Sequence, residues 1–175
     1  MTARMTIGLS KLLASARNED GARVLDVPGD WMQGRSVFGG LQIAFALQAM
    51  RELVPQVPLR TLQVTFVAPI AGTMRARAQI LRTGKNATHV EARIGDTGAT
   101  QAVVIGVFGS GRSSGVARTP APRVLDAGEA ARFELPFGTE VGGPSFARHF
   151  AGRWFRGQPP FSGGRETDQV LELAR

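Results

Sequence analysis

Two adjacent glycines at the start of an apolar segment are the residues best suited to chemistry in this sequence. Gly39 and Gly40 follow Phe38 and open a run from Leu41 to Val54 that is apolar on nearly every side, which predicts a buried helix. The first N–H groups of a helix have no partner within it, so these two could bind an anion or a polarised carbonyl oxygen. The same glycines could instead serve only the close packing of a helix on a sheet.

Other patterns suggest chemistry less specifically. His89 and Glu91 lie two residues apart, where a general acid–base pair could form, although a solvated sheet face also explains them. Residues 111–115 match the letters of a nucleophile elbow but lead into a proline-rich stretch rather than a helix. His149 is isolated, and with two histidines and no cysteine the sequence predicts neither a metal site nor a cofactor.

The elements that position these residues follow from the spacing of apolar side chains. Leucines at helical spacing predict an amphipathic helix over residues 6–17, and residues 22–27 predict a short extended segment. Pro55 ends the long helix, because proline disfavours helical geometry in the residue before it. Between residues 61 and 108 apolar and polar residues alternate in four segments separated by short turns, which predicts antiparallel strands.

These elements predict an α+β fold in which a curled antiparallel sheet wraps around a long central helix. One face of the sheet is polar and rich in arginine, and the other is apolar. We expect this domain to occupy residues 1–110.

The remainder of the chain is predicted to be a linker followed by two strands. Residues 111–145 are rich in Gly, Ser, Arg and Pro, with a short helix expected near residues 127–131. Strands are predicted over residues 146–155 and 170–174. Two strands without a covering helix cannot form a core of their own, so residues 146–175 are expected to pair with the first domain, to pair with another chain, or to open a second repeat.

Composition narrows the class of protein. The net charge of +7 comes from nineteen arginines and two lysines that are dispersed, without the basic run or aromatic interleaving of a nucleic-acid-binding surface. A polyanionic small ligand remains compatible with this charge. No apolar run has the length of a membrane span, and the N-terminus lacks a leader pattern, so we expect a cytoplasmic protein.

The motifs in their order resemble a known family, the acyl-CoA thioesterase II group of the hotdog-fold thioesterases. The matching segments run from about Leu9 to Phe108: Gly-Arg-Ser-Val-Phe-Gly-Gly at residues 34–40, Leu-Gln-Val-Thr-Phe-Val-Ala-Pro-Ile-Ala-Gly at 62–72, Leu-Arg-Thr-Gly-Lys-Asn at 81–86, and Asp-Thr-Gly at 96–98. The likeness continues weakly at Phe161 and residues 172–175, as the opening of a second hotdog.

The resemblance implies hydrolysis of acyl-CoA to free fatty acid and CoA by two hotdog repeats packed side by side. The family's catalytic Asp, Ser or Thr, and Gln belong to the second repeat. Their counterparts in this chain fall near Thr61, a weak candidate, and Phe108, and neither is a carboxylate base. The main catalytic groups are therefore expected beyond Arg175.

The resemblance also assigns roles in substrate binding. Gly39 and Gly40 are possible oxyanion donors. Phe38 is expected to bind substrate, with the acyl chain in an apolar tunnel beside it and the helix that follows. The polar turn of Arg82, Lys85 and Asn86 is placed near the CoA phosphates, although an exposed hairpin turn also explains it.

Two other functions stay open at this point. One is a non-catalytic acyl-CoA-binding or assembly half, favoured by the lack of a well-placed base. The other is a hotdog hydratase or dehydratase, which is disfavoured because no histidine occurs in residues 31–54. In each case a homo-oligomer or a pair of repeats is expected, because free sheet edges are avoided.

Overall fold

The helices and strands fall into two units, Met1–Arg112 and Ser113–Arg175. A computed structural model describes residues 6–96, 98–116, 118, 133–135, 143–156 and 170–174. The first unit contains two α-helices, α1 (Leu9–Ala14) and α2 (Gly39–Leu53), and a 3₁₀ turn at Gly29–Trp31. Its strands are β1 (Arg17–Glu19), β2 (Ala22–Asp26), β3 (Met32–Gln33), β4 (Ser36–Val37), β5 (Leu59–Phe66), β6 (Thr73–Thr83), β7 (Ala87–Asp96) and β8 (Ala99–Gly109).

Six of these strands form one antiparallel sheet in the order β1-β2-β6-β7-β8-β5, while β3 and β4 form a separate small hairpin. The predicted α+β class, with an antiparallel sheet and one long helix, is confirmed. The strand β8 runs between β7 and β5, and β5 is at the edge of the sheet.

The core forms where the apolar face of the sheet meets α2. The helix packs mainly on β6 and β7. The largest side chains that are fully buried there include Phe45, Leu41, Met50, Met74, Ile94 and Phe108. Each large apolar side chain removed from water contributes roughly 2 kcal/mol to folding.

Arg51 lies in the last turn of α2, beside the strand β8. Its guanidinium donates to the carbonyls of Val54 and Val57, and it lies over the Phe108 ring, 4.9 Å from the centroid. The Val54 carbonyl belongs to the C-cap residue, which the helix leaves unpaired, and a cation is favourable at that end of the helix.

The N-terminal part differs from the prediction. The first helix covers only Leu9–Ala14, because the chain turns at Asp20 and Gly21, both with positive φ, and pairs β1 with β2. Asp-Gly is the sequence signal for such a two-residue hairpin. The predicted helix over residues 6–17 was therefore too long.

The second unit contains a three-stranded antiparallel sheet in the order β11-β10-β9, with β9 at Phe133–Leu135, β10 at Ala151–Arg156 and β11 at Val170–Ala174. The strand predicted over residues 146–155 was partly wrong, since Ser145–His149 is a 3₁₀ helix and β10 begins at Ala151. The helix expected near residues 127–131 lies outside the described residues.

Candidate functional site at the start of helix α2

The candidate site begins with two backbone donors. Phe38 is the extended residue before α2, and its carbonyl accepts from the N–H groups of Leu41 (3.0 Å) and Gln42 (3.2 Å). Within the part of the chain that the structure describes, the N–H groups of Gly39 and Gly40 have no acceptor. Two adjacent donors therefore remain at the positive end of the helix dipole, as the donor interpretation of these glycines requires.

Two phenylalanine rings lie against these glycines. A Cβ added at Gly39 would lie 2.9 Å from Cζ of Phe66, and one added at Gly40 would lie 2.5 Å from Cε1 of Phe38. Both obstacles are the far ends of side chains, so a larger residue would force a ring to move. The packing interpretation of the glycines thus also has a structural basis, and both interpretations stay predictions.

The buried side-chain amide of Gln42 is bonded to the backbone just before α2. Nε2 of Gln42 donates to the Val37 carbonyl at 2.7 Å, and Gln42 is only 3% exposed. Its Oε1 has no donor among the described residues. A buried acceptor without a donor lowers the stability of the fold by about 1–3 kcal/mol. The start of α2 therefore holds a polar group at an energetic cost.

The site opens onto an apolar surface that we call the open flank: Ile43 and Leu47 of α2 with Leu62, Val64 and Phe66 of β5. Residues 39, 43 and 47 share one face of α2, which Phe66 contacts at Gly39. Ile43, Leu47, Leu62 and Val64 are half-buried, and Phe66 is 53% exposed. The prediction that α2 is buried on all sides was wrong. The helix packs mainly on β6 and β7, and Ile43 and Leu47 on its other side are only half-buried.

The structure does not bring Thr61 to this site. Side chains an odd number of residues apart on a strand point to opposite faces, and Phe66 points toward α2. Thr61 therefore lies on the polar face of the sheet, opposite Val107. The other family-aligned position, Phe108, is fully buried.

The polar turn lies at the far end of α2. Thr88, just after the turn, pairs with Phe108, whose ring lies under Arg51 in the last turn of the helix. The helix has 15 residues, so its ends are about 22 Å apart at about 1.5 Å per residue. Arg82, Lys85 and Asn86 are thus placed well away from Gly39 and Gly40 within one unit.

His89 and Glu91 do not form a pair. The Glu91 carboxylate accepts from Nε of Arg93 and from Nε2 of Gln79, and the residue is only 9% exposed rather than solvated. The bond to Arg93 holds the pKa of the Glu91 carboxyl below its ordinary value. A carboxylate fixed in this way is an ion-pair partner rather than a base for His89.

The described residues contain neither a cluster of metal ligands nor a membrane-spanning helix. No group of three or more His, Cys, Asp or Glu side chains is placed to hold a metal ion there. No helix within these ranges combines the length and apolar character needed to cross a bilayer.

Sequence reasoning missed Phe66 and Gln42 as neighbours of the two glycines. The alternation of Leu62, Val64 and Phe66 placed Phe66 on the helix side of the sheet, but only the register of β5 against β8 brings its ring to the start of α2. Nothing in the sequence distinguishes Gln42 from a polar residue on an exposed helix face.

Solved structures define the class of fold. A hotdog-fold protein from Alicyclobacillus acidocaldarius is 20% identical, with a TM-score of 0.69 over 88% of this chain and 57% of its own. A protein from Thermobifida fusca YX, described as a candidate thioesterase II, is 11% identical with a TM-score of 0.67 over 83% and 55%. A conserved Pseudomonas aeruginosa protein is 19% identical, with a TM-score of 0.50 over 60% of this chain and 94% of its own. The fold is a hotdog, and the chain spans a little over half the length of the first two relatives.

The sequence of the first unit also matches a known protein family. Residues 27–109 match the family model for the acyl-CoA thioesterase N-terminal domain. The resemblance to acyl-CoA thioesterases is therefore confirmed for the N-terminal part of the chain. No curated protein sequence matches the chain.

Proposed function

We propose that this chain acts in an acyl-CoA thioesterase, which hydrolyses acyl-CoA to free fatty acid and CoA as a pair of hotdog units. The observation that carries the proposal is the pair of N–H groups at Gly39 and Gly40 that have no acceptor among the described residues, in a segment that matches an acyl-CoA thioesterase domain. The open flank beside them supports it, since an apolar acyl chain needs an apolar surface.

The chemistry assigned to the two glycines is electrostatic. When a water adds to a thioester carbonyl, the carbonyl oxygen gains negative charge, and fixed N–H donors stabilise that charge in the transition state. The acyl chain would lie along Ile43, Leu47 and Val64, where each buried methylene contributes about 0.8 kcal/mol to binding.

A second hotdog unit would complete the site. The outer edge of β5 has no partner strand in the described sheet, and Phe66 and Val67 at its end are 53% and 59% exposed. Antiparallel pairing of two units through β5 reverses one relative to the other. The polar turn of one unit then approaches the α2 start of its neighbour, which supports a substrate-binding role for Arg82, Lys85 and Asn86 across the pair.

A non-catalytic acyl-CoA-binding half is the second candidate. It is favoured by the position of Thr61 on the far face of the sheet and by the apolar rings of Phe38 and Phe66 around the glycines. Neither neighbour can activate water.

The test is release of free thiol from medium-chain acyl-CoA, with a matched pair of variants at Gly39. Proline is tolerated at the first position of a helix and removes the N–H, whereas alanine crowds Phe66 but keeps the N–H. We expect Gly39→Pro to lower kcat by about 10²-fold, as for other lost oxyanion donors, and Gly39→Ala to lower it far less.

Equal losses in the two Gly39 variants would show that the glycine serves packing alone. Binding of a non-hydrolysable acyl-CoA by calorimetry, without thiol release, would favour the second candidate. Absence of both binding and release from a protein carrying two hotdog units would overturn the proposal.

A further inference from the structure

A cluster of arginines lies on the polar face of the sheet, opposite the face that carries α2. Arg75 and Arg77 lie on β6, and Arg93 lies on β7. Arg77 is directly opposite Arg93 in the register of the two strands. Like charges in directly opposed positions destabilise a sheet, so this pair is a cost to the isolated fold.

The carboxylates nearby leave part of this positive charge unpaired. Arg75 forms an ion pair with Glu19 at 2.9 Å, and Nε of Arg93 is bound to Glu91. Arg77 reaches only the Asp20 carbonyl, at 3.4 Å, and has no carboxylate within ion-pair distance in the described part of the chain. The terminal guanidinium nitrogens of Arg93 likewise have no partner there.

These arginines line a groove large enough for a small molecule. The groove has a volume of about 440 Å³, and its walls also include Gln79, Glu91 and Thr100. Small-molecule sites commonly have volumes of about 300–1,000 Å³. Glu91 lines the groove and is nearly buried, and its bond to Arg93 fixes one guanidinium in place.

We propose that this groove binds a phosphate group, held between the guanidinium groups of Arg77 and Arg93. Guanidinium groups donate in parallel to phosphate oxygens, and a dianion between the two strands removes the repulsion between the opposed arginines. The inference does not rest on the proposed hydrolysis, because the groove and the α2 start lie on opposite faces of the sheet.

The test is calorimetric titration of the whole protein with inorganic phosphate and, separately, with ADP, at constant ionic strength and without acyl-CoA. Arg77→Gln is compared with Arg112→Gln, which removes the same charge from an exposed position outside the groove. We expect saturable binding that Arg77→Gln weakens about tenfold and Arg112→Gln leaves unchanged. Tighter binding of ADP than of phosphate would indicate a nucleotide ligand, and equal binding a free phosphate group.

Thermal unfolding in chloride buffer controls for loss of the fold. Because Arg77→Gln removes a like-charge contact, its melting temperature should equal or exceed that of the parent protein. Equal affinities in the two variants, or a response to phosphate that never saturates, would overturn the proposal.

Discussion

Gly95 occupies a position that no side chain can share. The register of β7 against β8 shifts between Ile94 and Gly95, and a Cβ added at Gly95 would lie 1.8 Å from the Ala99 carbonyl oxygen. This obstacle is backbone rather than the end of a flexible side chain. If any other residue replaces Gly95, the hairpin at the end of β7 can form only when its two strands move apart.

Gly95→Ala should lower the free energy of unfolding by about 2–3 kcal/mol, in the range of mutations that strain a backbone. Gly29→Ala is the matched control, since a Cβ there meets nothing within 4 Å. Urea unfolding of both variants measures the difference. Similar midpoints for the two would mean that the hairpin yields without cost.

The sequence predicted Gly39 and Gly40 as donors because two glycines before an apolar run are a local signal for the start of a helix, and α2 does begin at Gly39. It could not identify the ring of Phe66 over Gly39, which depends on the register between two distant strands. The sequence also could not show that Arg82 lies far from the glycines. The turn itself is a local signal, but which end of α2 lies beside it depends on the fold.

The strand β5 is the one through which two hotdog units are expected to pair. Val67→Lys places a charge at its exposed end, where a partner strand would have to bury it. We expect this change to weaken association at least tenfold, measured by sedimentation across a range of protein concentrations.

Ile80→Lys provides the comparison for Val67→Lys. Ile80 is 46% exposed on β6, near the opposite side of the sheet, and its replacement should leave association unchanged. Dissociation caused by Ile80→Lys alone would place the contact on β6 instead of β5.

The four long strands were predictable because their alternation and turn residues are local signals. The β1–β2 hairpin also had a local signal at Asp20-Gly21, but the helical spacing of the leucines before it extended the predicted helix too far. The one-sided burial of α2 was not predictable, since an apolar surface has the same composition whether its cover is the same unit or another.

Ion pairs and hydrogen bonds of carboxylates on the sheet make the stability of the protein depend on pH. The pKa of Glu19 is lowered by its bond to Arg75, that of Asp26 by its bond to Thr73, and that of Glu91 by its bond to Arg93. The unfolded chain therefore binds more protons than the folded chain once the pH falls below about 5.5.

Stability should be constant from neutral pH to about pH 5.5 and then decline as the pH falls through the lowered pKa values of these carboxyls. Chemical denaturation at a series of pH values measures this decline. Glu91→Gln, which cannot titrate, should make it shallower. A free energy of unfolding that stays constant down to pH 3 would contradict the linkage.

The two sides of the six-stranded sheet are protected to different degrees against unwanted aggregation. Residues 77–83 of β6 extend past β2, and this exposed stretch carries Arg77, Arg82 and a bulge at Leu81, all of which hinder the addition of a foreign strand. From Thr61 to Phe66, β5 carries no charge at all. In an unpaired unit, this uncharged strand would be an exposed template for aggregation. The charges that make up the net +7 lie elsewhere in the chain. Association through β5 would then protect the solubility of the protein as well as complete its site.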